Sequence, residues 1–115
     1  MRIVIVEPNQ PPREADVEPT LETYQSIVGG HIEAVNPFKD RHMVLVCNEE
    51  GKINRLECNR FIVRAGKMGA QPEMIDWIAG TCFICGIGEE DFTGLTPEQA
   101  AEAKQAFASE YYFIG

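Results

Sequence analysis

The stretch from Ile78 to Ala100, IAGTCFICGIGEEDFTGLTPEQA, constrains this chain more than any other. Thr81 to Ile84 is a short, apolar, β-prone run bounded by Gly80 and Gly86. A continuous apolar run between glycines is the pattern of a buried strand. Gly86 and Gly88 flank Ile87, which predicts a bend where the backbone needs positive φ. Glu89, Glu90 and Asp91 follow as a solvated acidic loop, with Phe92 and Leu95 as its anchors to the core. Thr96-Pro97-Glu98-Gln99 is the clearest local signal in the chain. Thr96 can cap a helix, Pro97 suits the first helical position, and Gln99 stands three residues after the cap. Glu98 in the first turn complements the helix dipole. A helix from Pro97 to about Ser109 is expected.

The remaining segments are short strands and one more helix. Arg2-Ile3-Val4-Ile5-Val6 is a β-branched run, hence a strand, ended by Pro8. Glu7 to Val17 holds three prolines and several charges, so it is expected as an exposed loop, with Ala15 to Val17 as a short edge strand. Pro19-Thr20 begins a helix in which Leu21, Tyr24, Ile27 and Val28 form one apolar face. Gly29 is placed to end it in a left-handed cap, and Gly30 links onward. His31 to Val35 is a strand with Ile32 and Ala34 on one face and His31, Glu33 and Val35 on the other. Asn36-Pro37 breaks it. Met43 to Cys47, the turn Asn48-Glu49-Glu50-Gly51-Lys52 and Ile53 to Leu56 together suggest a β-hairpin. Glu57 to Arg60 suggests a tight turn before the apolar Phe61-Ile62-Val63. Arg64 to Glu73 is the most loop-like segment, and Met74 to Ile78 leads into the central stretch. Tyr111-Tyr112-Phe113-Ile114 is too aromatic for a free tail: it either packs back on the core, the favoured expectation, or forms a contact with another molecule.

That order predicts an α+β fold: a small mixed or antiparallel sheet with two helices on one face. So many short strands, bent by glycines, could also curl into a partial barrel. The 115 residues suffice for one domain, 1–115, with its own core. A 44% apolar composition excludes a disordered chain. The formal charge of −8 lacks the basic footprint of nucleic-acid binding. It suits a solubility surface, a basic protein partner, or imitation of DNA phosphates. No apolar run approaches the ~18 residues that span a bilayer, so no membrane partner is expected. Met1 leads straight into a strand, without a signal peptide, which points to the cytoplasm and to reduced cysteines.

The residues that could carry chemistry are few. Cys82-Phe83-Ile84-Cys85 could be half a zinc site or a redox dithiol. Zinc would need a second pair, and Cys47 and Cys58 are too far apart in sequence for a knuckle. Within a strand, positions i and i+3 point to opposite faces. The four cysteines are therefore expected as small buried apolar residues, and neither metal nor cofactor is expected. His31 and His42 are the only imidazoles, and nothing marks a nucleophile beside them. Gly29-Gly30 follows a helix, the wrong order for a phosphate cradle. Gly86-Ile87-Gly88 follows a strand, but three acids come next. Glu49-Glu50 and Glu89-Glu90-Asp91 fall in loops beside strand ends, where binding residues concentrate.

The ordered set Ile27-Val28-Gly29-Gly30-x-Ile32-Glu33, Cys47-Asn48-Glu49-Glu50-Gly51-Lys52, Asn59, Ile78-Ala79-Gly80-Thr81, the acidic loop with Phe92, and Leu95-Thr96-Pro97-Glu98-Gln99 resembles one family. It is the domain of unknown function numbered 3846, found in phages and mobile elements. The resemblance runs along nearly the whole chain, apart from Arg64 to Glu73. It implies an accessory protein of a phage or mobile element, and by analogy of setting an anti-defence role. It supplies no catalytic residues.

The expected function is a small non-enzymatic binding protein that sequesters a small, nucleotide-derived ligand. Gly29, Gly30, Glu33, Asn48, Glu49, Asn59 and Arg60 are the candidate ligand-binding residues, with Cys82 and Cys85 as weak metal candidates. Nucleotide binding in so acidic a chain requires Arg55, Arg60, Arg64 and Lys67 to gather at one site. The alternatives are an acidic interaction module that blocks a host protein, or a cysteine-based metal or redox protein. The partner is a small ligand or a host protein, and a homo-oligomer is allowed.

Overall fold

The β-branched run near the start forms β1 (Arg2–Val6), which lies inside a six-stranded sheet. The computed structural model describes residues 1–114. After a proline-rich loop, β2 (Arg13–Asp16) returns antiparallel to β1 as an edge strand. α1 (Leu21–Val28) starts where Thr20 caps it, accepting from the Thr23 amide at 3.2 Å. It ends at Gly29, whose φ of 81° is the left-handed cap that the sequence predicts. Then come β3 (Ile32–Val35), β4 (Met43–Asn48), β5 (Cys58–Arg64), β6 (Glu73–Ala79), β7 (Cys82–Ile87) and β8 (Phe92–Thr93). α2 (Pro97–Ala106) and β9 (Tyr111–Ile114) complete the chain. The full capping box is present: Thr96 accepts from the Gln99 amide, and the Gln99 side chain accepts from the Thr96 amide.

The main sheet has the order β2-β1-β7-β4-β3, with β8 also paired to β7, and all its pairs are antiparallel. The second sheet has the order β6-β5-β9, antiparallel on one side of β5 and parallel on the other. The fold is α+β and sheet-dominated. Neither sheet closes on itself among the described residues, so there is no barrel.

Alternation along the central strands creates two cores. Ile3, Ile5, Phe83 and Cys85 face α1 and pack with Tyr24 and Val28. Val4, Val6, Cys82 and Ile84 face the other way, onto Ala100, Ala103 and Phe107 of α2 and Ile62 and Ile78 of the second sheet. The helices thus lie on opposite faces of the main sheet, not on one. A strand buried on both faces, such as β7, needs cover on each side.

Three further expectations are corrected. The hairpin from Met43 to Leu56 does not form: β4 pairs with β3 and β7. Ile53 to Leu56 instead coils, with the amides of Asn54 and Leu56 bonded to the carbonyls of Glu50 and Gly51. Its two apolar residues are three apart, a helical-turn spacing. Glu57 to Arg60 is not a tight turn, because β5 begins at Cys58. Gly86 is not a bend: β7 runs through it, between Met43 and Thr93. Glycine is required there by crowding, since a Cβ would meet Thr93 Oγ1 at 2.6 Å. The positive φ falls at Gly80 (82°), where the chain steps from the second sheet into the main one.

Candidate functional site

Between β3 and β4 of the main sheet and β5 and β6 of the second lies a cleft of about 290 Å³. Glu33 and Cys47 stand opposite each other on β3 and β4. On the other wall, Asp76 pairs with Lys52, and the Lys52 ammonium sits 4.2 Å from the centre of the Trp77 ring. The Asp76 carboxylate also accepts from the Trp77 amide at 2.8 Å, which fixes it against its own strand. Asn48 and the exposed Glu49 complete the lining. Burial pushes the Cys47 thiol up to about 11, with Glu33 and Asp76 adding to the effect. At neutral pH it is a protonated wall residue, not a nucleophile.

The seven candidate ligand residues do not converge. Glu33, Asn48 and Glu49 line the inter-sheet cleft. Gly29 and Gly30 lie at the end of α1. There the Asn48 amide donates to Val28 O at 3.2 Å, and its oxygen accepts from the Glu50 amide at 2.8 Å. A Cβ on Gly30 would sit 2.8 Å from Asn48 Nδ2, so this glycine admits the clamp between helix and strand. The Glu49 amide donates to His31 O at 2.8 Å.

Asn59 and Arg60 lie elsewhere and are committed to the fold. Asn59 Nδ2 donates to Val6 O at 2.8 Å and to Gly80 O at 2.9 Å, which pins the step between the sheets. The Arg60 guanidinium donates to Phe107 O at 3.1 Å, Gln10 O at 2.7 Å and Asn59 Oδ1 at 2.8 Å. All three of its nitrogens are engaged by acceptors of the fold. Arg55, Arg60, Arg64 and Lys67 do not gather. Arg60 and Arg64 are about 13 Å apart along β5, at ~3.3 Å per residue, and Arg55 and Lys67 sit in the separate loops before and after it.

Cys82 and Cys85 point to opposite faces of β7, as the strand period predicts. Burial raises both thiols, Cys85 to about 12. No group of three His, Cys, Asp or Glu residues able to hold a metal ion occurs among the described residues. Cys58 is exposed and Cys47 half-buried, which corrects the expectation that all four are buried.

The model for the family described as Domain of unknown function (DUF3846) matches residues 1–108. The chain belongs to that family. Neither curated proteins nor solved structures yield a match. The DUF3846 match spans every element through α2 and all the cleft residues, while β9 lies beyond it. Lys52, Asp76 and Trp77 are the cleft residues of this DUF3846 chain that the sequence does not point to as a site. The one available signal is that Trp77 is the sole tryptophan, two residues from the end of a strand. No helix among the described residues is long and apolar enough to cross a membrane.

Proposed function

We propose that this DUF3846 protein is a small non-enzymatic binding protein that holds a donor-rich ligand in the cleft between its two sheets. The observation that carries this reading is the cleft wall itself: Asp76, held by Lys52, with the acceptor Glu33 beside it and Leu45, Ile62 and Ile78 as apolar lining. An apolar lining with a few convergent polar groups is the usual make-up of a small-molecule site. Three carboxylates, Glu33, Glu49 and Asp76, face a single cation, Lys52. That balance favours amine or N–H donors and opposes several phosphates. A nucleotide-derived signal would therefore enter by its base and leave its phosphates in solvent. In the setting that the family resemblance implies, a phage or mobile-element accessory protein of the cytoplasm, such capture would blunt a host defence signal. The raised thiols support binding over covalent chemistry.

The sole tryptophan gives the test. Titration with nucleosides, nucleotides and diamines, followed by Trp77 fluorescence and calorimetry, should give saturable binding. A nucleoside should bind more tightly than its triphosphate, and Asp76→Ala should abolish the response. No heat and no fluorescence change across the panel would sink the proposal. A second reading, an acidic interaction module, has the exposed loops Glu49-Glu50 and Glu89-Glu90-Asp91 in its favour. Because β4 and β7 are antiparallel, these loops lie at opposite ends of the main sheet. A basic partner would engage one of them, with strongly salt-dependent affinity.

A further inference from the structure

The second sheet has one face against the core and one in solvent. Residues directly opposite across paired strands share a face. The register places Trp77, Phe61 and Tyr111 in one row across β6, β5 and β9, and Met74, Val63 and Phe113 in the next. None of the six is charged. On the core face of the same sheet stand Ile62, Ile78 and Tyr112. The two rows therefore form the outer face, and they are continuous. Phe61 and Tyr111 stack at 5.4 Å, and the central Val63 is buried. The outer residues are open: Trp77 is 40% exposed, Tyr111 47%, Phe113 56% and Met74 54%. A patch of this kind on a folded chain marks an interaction surface.

We infer that this face is the interface of a two-fold homodimer, formed by stacking the second sheets of two copies face to face. Charge argues for the occupant. A single-stranded nucleic acid would stack on such aromatics but also needs several cations among them, and the one cation against the rows, Lys52 over Trp77, is already paired with Asp76 in a chain of net charge −8. A basic protein would find no carboxylate within the rows. A second copy offers what the patch lacks a partner for, a second uncharged apolar sheet at the ~10 Å spacing of stacked sheets. Area agrees. Large aromatics bury roughly 150–250 Å² each, so half-exposed Trp77, Tyr111 and Phe113 offer about 100 Å² apiece. With Met74 and the bulge residue Ile75, the patch approaches on the order of 500 Å² per copy. A symmetric pair then reaches about 1,000 Å², the lower bound for a specific interface. Such a dimer is weak, with a micromolar dissociation constant. It tightens with salt, because salt screens the repulsion between two copies of charge −8.

Sedimentation of the full chain, from low-micromolar to sub-millimolar concentration and at low and high salt, tests this. The mass should rise from 12.8 kDa to twice that value, at lower concentration in high salt. Tyr111→Lys and Phe113→Lys should weaken association at least about tenfold with an unchanged circular dichroism spectrum. Glu90→Lys, on the distant acidic loop, should not weaken it. Should the lysine variants fail to fold, Trp77 emission of the unaltered chain decides, because it must shift to the blue as the dimer forms. A monomer mass at every concentration and salt overturns the inference. So does a dimer that survives both folded lysine variants, or one that leaves Trp77 emission unchanged.

Discussion

Arg60 is a buried cation that no carboxylate among the described residues pairs with. Its guanidinium is satisfied by carbonyls from three parts of the chain: Gln10 after β1, Asn59 on β5 and Phe107 at the end of α2. The last carbonyls of a helix carry partial negative charge, which favours a cation at that position. The planar fork of arginine reaches several acceptors at once, whereas lysine presents a compact point charge. Arg60→Lys should therefore cost about 2 kcal/mol and Arg60→Ala about 3–4 kcal/mol, measured as lower urea midpoints with unchanged slope. The thiols give a second prediction. Cys85 titrates near 12 in the fold, because burial and then Asp91 disfavour its thiolate. In the unfolded chain it titrates near 8.5. Its folded pKa is raised, so the stabilisation is complete below about pH 8.5 and is lost as pH rises toward 12. Stability should fall through the alkaline range, and Cys85→Ala should flatten that fall by up to about 1.4 kcal/mol per pH unit. At neutral pH, thiol labelling should be fast at exposed Cys58 and require unfolding at Cys82.

The elements whose signals are local were legible in the sequence. The Thr96–Gln99 box and the Gly29 cap depend on residues within one turn, and both helices start and stop near the expected positions. Pairings between distant segments were not legible. Local patterning pairs Met43 to Cys47 with the next apolar run, but β4 pairs with β7, about forty residues later. The inter-sheet cleft is a product of those non-local pairings, so Lys52, Asp76 and Trp77 carried no local mark. Gly86 shows the difference most clearly. By local rules it breaks a strand, yet it lies within β7 because Thr93 of β8 crowds its α-carbon. Gly86→Ala should destabilise by about 1–3 kcal/mol, as overpacking does. Thr93→Ala in the same chain should recover part of that loss, since Thr93 Oγ1 is the nearest atom. The carbonyls of Gly94 and Thr93, at 3.0 and 3.3 Å from the added Cβ, set the remainder. A double-mutant cycle by urea unfolding measures the coupling, and strict additivity would refute the crowding account.

At the scale of the molecule, the two sheets hold one core between them. Ile62 and Ile78 from the second sheet share a cluster with Val4, Val6, Met43, Leu45 and Ile84 from the first, and α2 closes it through Ala100, Ala103 and Phe107. Polar ties reinforce the seam, because Asn59 on β5 holds both Val6 O and Gly80 O. The second sheet therefore cannot melt alone without exposing the first-sheet residues that Ile62 and Ile78 pack against. Trp77 reports on the second sheet, while the far-ultraviolet helix signal comes from α1 and α2, which lie on opposite faces of the first. Ile62→Ala opens a cavity at the seam and should cost about 2–4 kcal/mol, a large share of the roughly 5–15 kcal/mol that holds a domain together. If the layers form one cooperative unit, tryptophan fluorescence and the helix signal should give the same urea midpoint in the parent chain. Both should then fall by the same amount in Ile62→Ala. If the second sheet were an appendage, Trp77 would lose its environment first and the helix midpoint would hardly move.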